Sequence, residues 1–319
     1  MGTTYTIRLF SEGKTISYFE EREIKNAVQK ELDRIDLIFS TWKSESEISR
    51  FNRWPENKRF YISPEFTEVF LKSYEIYIKS GGAFDPTIGP LIDLWGFGSR
   101  TFSGKIPEQN TIEKALQNTG LMQIAFENSN GISLVKKNKN IELNLSAIAK
   151  GYAVDRIYLT LSNMGYNSTM IEVGGEIRTG NPPNGKQTWK IGIEKPDSSQ
   201  TKSIQKIISL SGQSIATSGD YRNFFHLNGQ NYSHIIDPSD GMPVRGSIAS
   251  ASVIGPDCMT ADALATAILV MDPAQAFYFL SLFPGFEAYL LLRSPAGTID
   301  EKWTQGMENF FDGSSGKTP

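Results

Sequence analysis

Soft metal ligands are nearly absent from this sequence, which holds one cysteine, Cys258, and two histidines, His226 and His234, in 319 residues. A single cysteine cannot form an internal disulfide. Its place between Pro256-Asp257 and an apolar helical run suits a small buried thiol better than a reactive one. A Cys/His zinc site is all but excluded, so any metal is expected to be a hard cation held by oxygen ligands. No apolar run is long enough to cross a bilayer. Met1-Gly2-Thr3-Thr4 leads into a strand pattern rather than a secretory signal, so the chain as it stands is expected to be soluble. Basic runs are missing too, and a net charge of −3 argues against a nucleic-acid binder, which needs concentrated Lys and Arg. The G-x-G-x-x-G fingerprint, the P-loop and the G-x-S-x-G elbow are all absent, so a nucleotide site in this chain is of another kind.

What is present reads as an ordinary globule, with 39% apolar and 21% charged residues. Residues 4–10 alternate as a strand. Helical spacing runs from Phe19 to Ser40 and again from Pro64 to Ser80, the second with Phe66, Val69, Phe70, Tyr74 and Tyr77 on its apolar face. Residues 81–98 are dense in Gly and Pro yet rich in Phe, Leu, Ile and Trp, which predicts an ordered loop whose backbone approaches something closely. Residues 99–112 are expected to be an exposed excursion. Strands are predicted at 132–136, 141–145, 168–173, 189–194, 204–211, 221–227, 248–254 and 286–293. Helices are predicted at 146–164, with Ile157, Leu161 and Met164 facing inward, and at 258–271 and 273–283. Strand pairs and helices mix without strict βαβ alternation, which predicts an α+β fold with mixed or antiparallel sheets, one catalytic unit of two lobes. The domain is expected to span 1–306, with 307–319 a flexible tail.

Four segments can carry chemistry, and a fifth, IEVGGEIRTGN (171–181), places two glycines at a strand end. Asp262 and Thr266, four apart on a predicted helix, share a face and can both reach one hard cation. Judged alone, they are more often a helix-dipole carboxylate and a packed threonine. The run NLSAIAKGYAVD (144–155) turns from strand into helix with small residues, able to present backbone groups to an anion. There Lys150 supplies a point charge, or is simply a solvated lysine beside an N-capping Ser146. His234, just before the turn signal Asp237-Pro238 and Asp240-Gly241, suits a general base, although a lone histidine is more often structural. His226 alternates within a strand pattern and takes the structural role. In FSTWKSESEISRFN (39–52), Trp42 offers a flat face for stacking, and the serines offer hydroxyls or helix caps.

Taken in order, STWKSESEISRFN, GAFDPTIGPLIDLWGFG, LSAIAKGYAVD, IEVGGEI, SIATSGDY, SHIIDPSDGMPV and TADALATA, preceded by Met1-Gly2-Thr3, resemble the ApbE family of flavin transferases, the FAD:protein FMN transferases. The likeness runs to about residue 272. It implies an FAD cleft between lobes and Mg²⁺, or Mn²⁺ in its place, against the pyrophosphate. It also implies transfer of FMN to a Thr or Ser of an acceptor flavoprotein, such as a subunit of a membrane redox complex, with AMP released. By position, Asp262 and Thr266 match the family's metal-binding side chains, Ala147 its carbonyl donor, and His234 its base. Met1, Trp42, Ala83, Phe84, Asp85, Asn144, Lys150 and Ile236 match positions lining the FAD site. Asn144 departs from the family's usual Asp; an amide oxygen still accepts a ribose hydroxyl, so altered affinity rather than lost activity is expected. The resemblance further implies an extracytoplasmic or periplasmic location where an export segment has been removed, and a cytoplasmic one otherwise. Two alternatives stay open: an FAD pyrophosphatase giving FMN and AMP, and a non-catalytic FAD-binding protein.

Overall fold

The computed structural model describes residues 2–11, 13, 15–98, 104–129, 131–183, 185–196, 203–227, 229–294 and 298–312. Strand β1 (Tyr5–Phe10) is followed by helix α1 (Tyr18–Phe39), which Ser17 and Glu20 open with a capping box. Ile24, Val28, Ile35, Ile38 and Phe39 form its buried stripe. Helix α2 (Glu47–Asn52) and strand β2 (Phe60–Tyr61) lead to α3 (Pro64–Lys79), where Phe66, Val69 and Phe70 are buried and Tyr74 and Tyr77 partly so. Then come α4 (Gly89–Leu94), α5 (Gln109–Leu116), β3 (Ile124–Glu127), β4 (Ser133–Lys136) and α6 (Ser146–Asn163). The second half holds β5 (Ser168–Val173), β6 (Glu176–Thr179), β7 (Trp189–Glu194), β8 (Ile204–Leu210), β9 (Ser214–Gly219), β10 (Phe224–Leu227), β11 (Gln230–Ser233) and β12 (Ile248–Gly255). Helices α7 (Cys258–Ile268) and α8 (Pro273–Ser281) and strands β13 (Glu287–Arg293) and β14 (Ile299–Trp303) complete it.

The architecture is α+β. A seven-stranded sheet runs in the order β1-β5-β6-β9-β12-β13-β14, beside a three-stranded sheet β2-β4-β3 and the ribbons β7-β8 and β10-β11. Every pairing among these strands is antiparallel. Helix α7 lies between β9 and β12 of the large sheet and helix α6. Its residues Ala261, Ala263, Leu264, Ala265, Ala267 and Ile268 are all buried, as expected of a helix covered all round. Among the described residues no helix is long and apolar enough to cross a membrane.

Several sequence expectations need correction. Residues 141–145 form no strand, although Ile141, Leu143 and Leu145 are buried. The backbone there bonds elsewhere: the Leu143 N–H donates to the Asn52 side chain, whose amide donates back to the Leu143 carbonyl, and the Asn144 N–H donates to the Pro86 carbonyl. Met164 is 38% exposed because it caps the end of α6 rather than continuing it. Within the predicted excursion, 99–103 lie outside the described residues, but 109–112 enter α5 and Ile112 is buried. Residues 307–312 are no loose tail: Met307 is fully buried among Trp189, Leu210 and Tyr289, and Phe311 bridges to Ile208. Residues 313–319 lie outside the described residues.

Candidate active site

Helices α6 and α7 approach closely because Gly151 carries no side chain at their crossing. A Cβ on it would stand 2.2 Å from the Cys258 carbonyl oxygen. Asp155, one turn further along α6, accepts the N–H groups of Cys258 (3.0 Å) and Met259 (2.8 Å), so it satisfies buried donors that open α7 and have no partner within the helix. Arg178 pairs with the same carboxylate from β6. Cys258 itself is buried, as its sequence setting predicts. These contacts fix the register of α7 and with it Asp262 and Thr266.

Asp262 is 1% exposed. Its carboxylate accepts the Gly151 N–H at 3.0 Å and faces the Lys150 ammonium at 3.2 and 3.3 Å. Lys150 is shared with Glu176, 3.4 Å away at the start of β6. Burial alone would lower the Lys150 pKa, but the two carboxylates outweigh it and the shift is upward. Burial raises Asp262, with Lys150 and the Gly151 N–H offsetting part of the effect. Burial and the neighbouring Asp262 likewise raise Glu176, whose Oε2 has no hydrogen-bond partner among the described residues. The Thr266 hydroxyl lies one turn on, 3.2 Å from the Asp262 carbonyl and 3.1 Å from the Ser218 hydroxyl on β9. The i,i+4 pair therefore does share a face.

In front of this charged floor opens a cavity of about 890 Å³, near the upper end of small-ligand sites of roughly 300–1,000 Å³. Trp42, Ala83, Phe84, Asp85, Asn144, Ala147, Lys150, His234, Ile236 and Thr266 all line it. Asp262 does not; it sits beneath Lys150. Met1 lies outside the described residues, while its neighbours Gly2 and Thr3 are on the wall. Trp42 is 76% exposed on the loop after α1, a free aromatic face at the rim. Asp85 is buried and accepts the Thr87 N–H (2.8 Å) and hydroxyl (2.6 Å); burial raises its pKa despite these bonds.

Asn144 uses its amide oxygen within the fold, where Oδ1 accepts the Ser146 N–H at 3.0 Å. Ser146 is thus the first helical residue and not the cap, and Leu145 takes the N-cap position without a side-chain bond. His234 follows β11 directly. Its ring Nδ1 is 3.0 Å from the Asn223 carbonyl and its edge meets Phe97 at 6.3 Å between centroids. Burial lowers its pKa, opposed by the Asn223 bond and aided by Lys150. His226 lies on exposed β10 and pairs with Asn231, away from the cavity wall, which matches its structural assignment. Glu176, Ser218, Arg222 and Asn223 also line the cavity or hold its groups, and no side chain among them stood out in the sequence. Their motifs, IEVGGEI and SIATSGDY, were the available signal.

The α+β frame that surrounds this cavity has counterparts among known proteins. The chain belongs to the ApbE family, whose sequence model matches residues 1–290. It is 36% identical to the FAD:protein FMN transferase of Vibrio cholerae serotype O1 over 271 residues, 85% of this chain and 79% of that protein. It is 32% identical to the Haemophilus influenzae FAD:protein FMN transferase over 301 residues, 94% and 86% of the two chains. The solved structure of the flavin transferase ApbE from Vibrio cholerae superposes with a TM-score of 0.87 at 30% identity, covering 98% of this chain and 96% of that one. An ApbE protein from Thermotoga maritima gives a TM-score of 0.83 at 31% identity, covering 98% and 96%.

Proposed function

We propose that this chain transfers FMN from FAD to a serine or threonine hydroxyl of an acceptor flavoprotein and releases AMP. The reading rests above all on one cavity that combines an oxygen-only cation-binding edge with a neutral imidazole. It is supported by family membership and by relatives named for this reaction.

The donor set fits a hard cation. Asp262, beneath Lys150, would supply one carboxylate, and the cavity-lining residues Thr266 and Ala147 would supply a hydroxyl and a backbone carbonyl; a positive charge already stands 3.2 Å from Asp262 as the Lys150 ammonium. Among the described residues no cluster of three or more His, Cys, Asp or Glu could enclose a metal. Mg²⁺ is usually held by one or two carboxylates with substrate phosphates and water completing its shell. When bound, Mg²⁺ neutralises pyrophosphate charge.

The chain's own groups then have these tasks. Asn223 holds the His234 ring with Nδ1 protonated, which leaves Nε2 free to take the acceptor hydroxyl proton. The freed oxygen bonds to the FMN-side phosphorus. The bond from that phosphorus to the bridging oxygen breaks, and the bridging oxygen leaves with AMP. Lys150 holds phosphate charge, Trp42 stacks on a ring of FAD at the rim, and Ala83, Phe84, Asp85, Asn144 and Ile236 shape the FAD wall. Phosphoryl transfer asks mainly for such positioning and charge neutralisation.

Mass spectrometry of a candidate acceptor after incubation with FAD and Mg²⁺ tests the reading. A covalent FMN adduct with equimolar AMP is expected. AMP without an adduct would identify water as the nucleophile, and FAD recovered intact would make the chain a carrier. Asp262→Ala at full rate in excess Mg²⁺ would remove the metal assignment.

A further inference from the structure

Among the described residues, three lysine or arginine side chains stand on the cavity wall: Lys43, Lys150 and Arg222. Lys43 is bound to Asp36 at 2.7 Å, and Lys150 to Asp262 and Glu176. Arg222 makes no hydrogen bond or ion pair with any described residue. Its place is nevertheless built. The guanidinium lies over the β5–β6 turn, where a Cβ on Gly175 would meet Nη1 at 2.9 Å, and Gly175 adopts φ +104°. Bare glycine backbone thus forms the seat for the arginine head. Arg222 also adjoins Asn223, the residue whose carbonyl holds His234.

We propose that Arg222 grips the non-bridging oxygens of the phosphorus under attack, beside His234, and stabilises the charge that spreads over them during transfer. The inference rests on the flavin-transfer reading above and deepens it. The charge distribution supports it: Lys150 is ion-paired with two carboxylates, whereas Arg222 is near enough to Glu176 to favour its ionised form but makes no ion pair with it, which leaves the guanidinium donors for a pyrophosphate diester. A planar guanidinium can meet two phosphoryl oxygens at once, which a lysine cannot. Its field also disfavours the imidazolium form of His234, consistent with its lying near the base. No new bond-making is added. The acceptor hydroxyl proton goes to His234, the oxygen–phosphorus bond forms, and the bridging oxygen departs with AMP.

The test follows AMP release from FAD with Mg²⁺ by the full chain, with a candidate acceptor and with water alone, alongside FAD affinity by equilibrium titration. Arg222→Ala is expected to slow AMP release roughly 10²–10³-fold in both arms, as loss of one preorganised oxyanion donor does. FAD affinity should stay within about threefold, the pattern of a group acting in the transition state. Arg222→Lys should recover only part of the rate. Millimolar guanidinium chloride should restore Arg222→Ala by more than about tenfold, because the seat over Gly175 is left open. An Arg222→Ala rate within about threefold of wild type, or a loss confined to FAD affinity, overturns the proposal. So does a loss confined to the protein-acceptor arm, which would make Arg222 an acceptor-recognition residue. Wild-type chain that releases no AMP at all sinks the flavin-transfer reading and this assignment with it.

Discussion

The Asn223 carbonyl oxygen accepts two hydrogen bonds from His234, one from its backbone N–H and one from ring Nδ1, each at 3.0 Å. A carbonyl can only accept, so Nδ1 carries the hydrogen and Nε2 the lone pair. Burial together with nearby cations lowers the imidazole below its ordinary value of 6.5. The neutral, basic form therefore persists to lower pH than in a free histidine. The rate kcat/KM for AMP release should rise with pH through a midpoint below 6.5 and then level off. His234→Ala should abolish this limb and cut transfer roughly 10²–10⁴-fold while FAD still binds. A midpoint above 7, on the order of the shift expected for a His⁺ stabilised by a carboxylate, would show that the ring is held in the charged form.

Gly151 offers a test of how the floor is assembled. Alanine favours a helix over glycine by about 1 kcal/mol, so propensity alone predicts that Gly151→Ala stabilises. The added Cβ would instead press on the Cys258 carbonyl at 2.2 Å, an unyielding backbone atom. We expect a net loss of about 3 kcal/mol in urea denaturation, in the range of overpacked cores. Mg²⁺ affinity should weaken too, because the Gly151 N–H that holds Asp262 moves with the helix. A variant as stable as wild type would mean that α7 can shift without penalty.

Much of this was legible in the sequence where the signal was local. Helix α6 and strands β5 and β7 follow their periodicity almost residue for residue, and the four-residue spacing of Asp262 and Thr266 did place them on one face. Misreadings came where distant residues decide. The apolar alternation of Ile141, Leu143 and Leu145 looks like a strand, but Asn52, far away in the chain, takes the hydrogen bonds a partner strand would need. Glu176 and Arg222 gave no local pattern, because their importance arises only when the 174–176 turn and the 219–223 loop meet over Lys150 and His234. The Ser146 cap failed for a subtler reason: the preceding Asn144 side chain took its place.

Asp155 should matter for stability although it does not line the cavity. Its carboxylate serves the Cys258 and Met259 N–H groups and the Arg178 guanidinium together. Asp155→Ala leaves two buried donors and a largely buried arginine unpaired. A loss of about 3–5 kcal/mol is expected, as for breaking a buried ion pair from one side. Asp155→Asn, which keeps an acceptor oxygen for α7, should lose distinctly less. Equal losses in the two variants, measured by chemical denaturation, would assign the effect to the charge on Arg178 rather than to capping.

The end of the described chain makes a separable prediction. Met307 is fully buried in a cluster with Trp189, Leu210 and Tyr289, and Phe311 meets Tyr289 and Trp303 edge-on at 5.9 and 5.3 Å between ring centres. A composition rich in polar residues near the terminus hides this pair, since Met307 stands alone and Phe311 has only Phe310 as an apolar neighbour, and both find their partners across the ribbon and the large sheet. Met307→Ala should lose about 2–5 kcal/mol, the usual cost of emptying a core site. None of these residues lines the large cavity, so FAD affinity of the folded variant should match wild type at temperatures well below its transition. Should Met307→Ala melt like wild type, the packing of 305–311 against the sheet contributes nothing to stability; should it lose FAD affinity while folded, the cluster and the cavity are coupled in a way their separation in the fold does not predict.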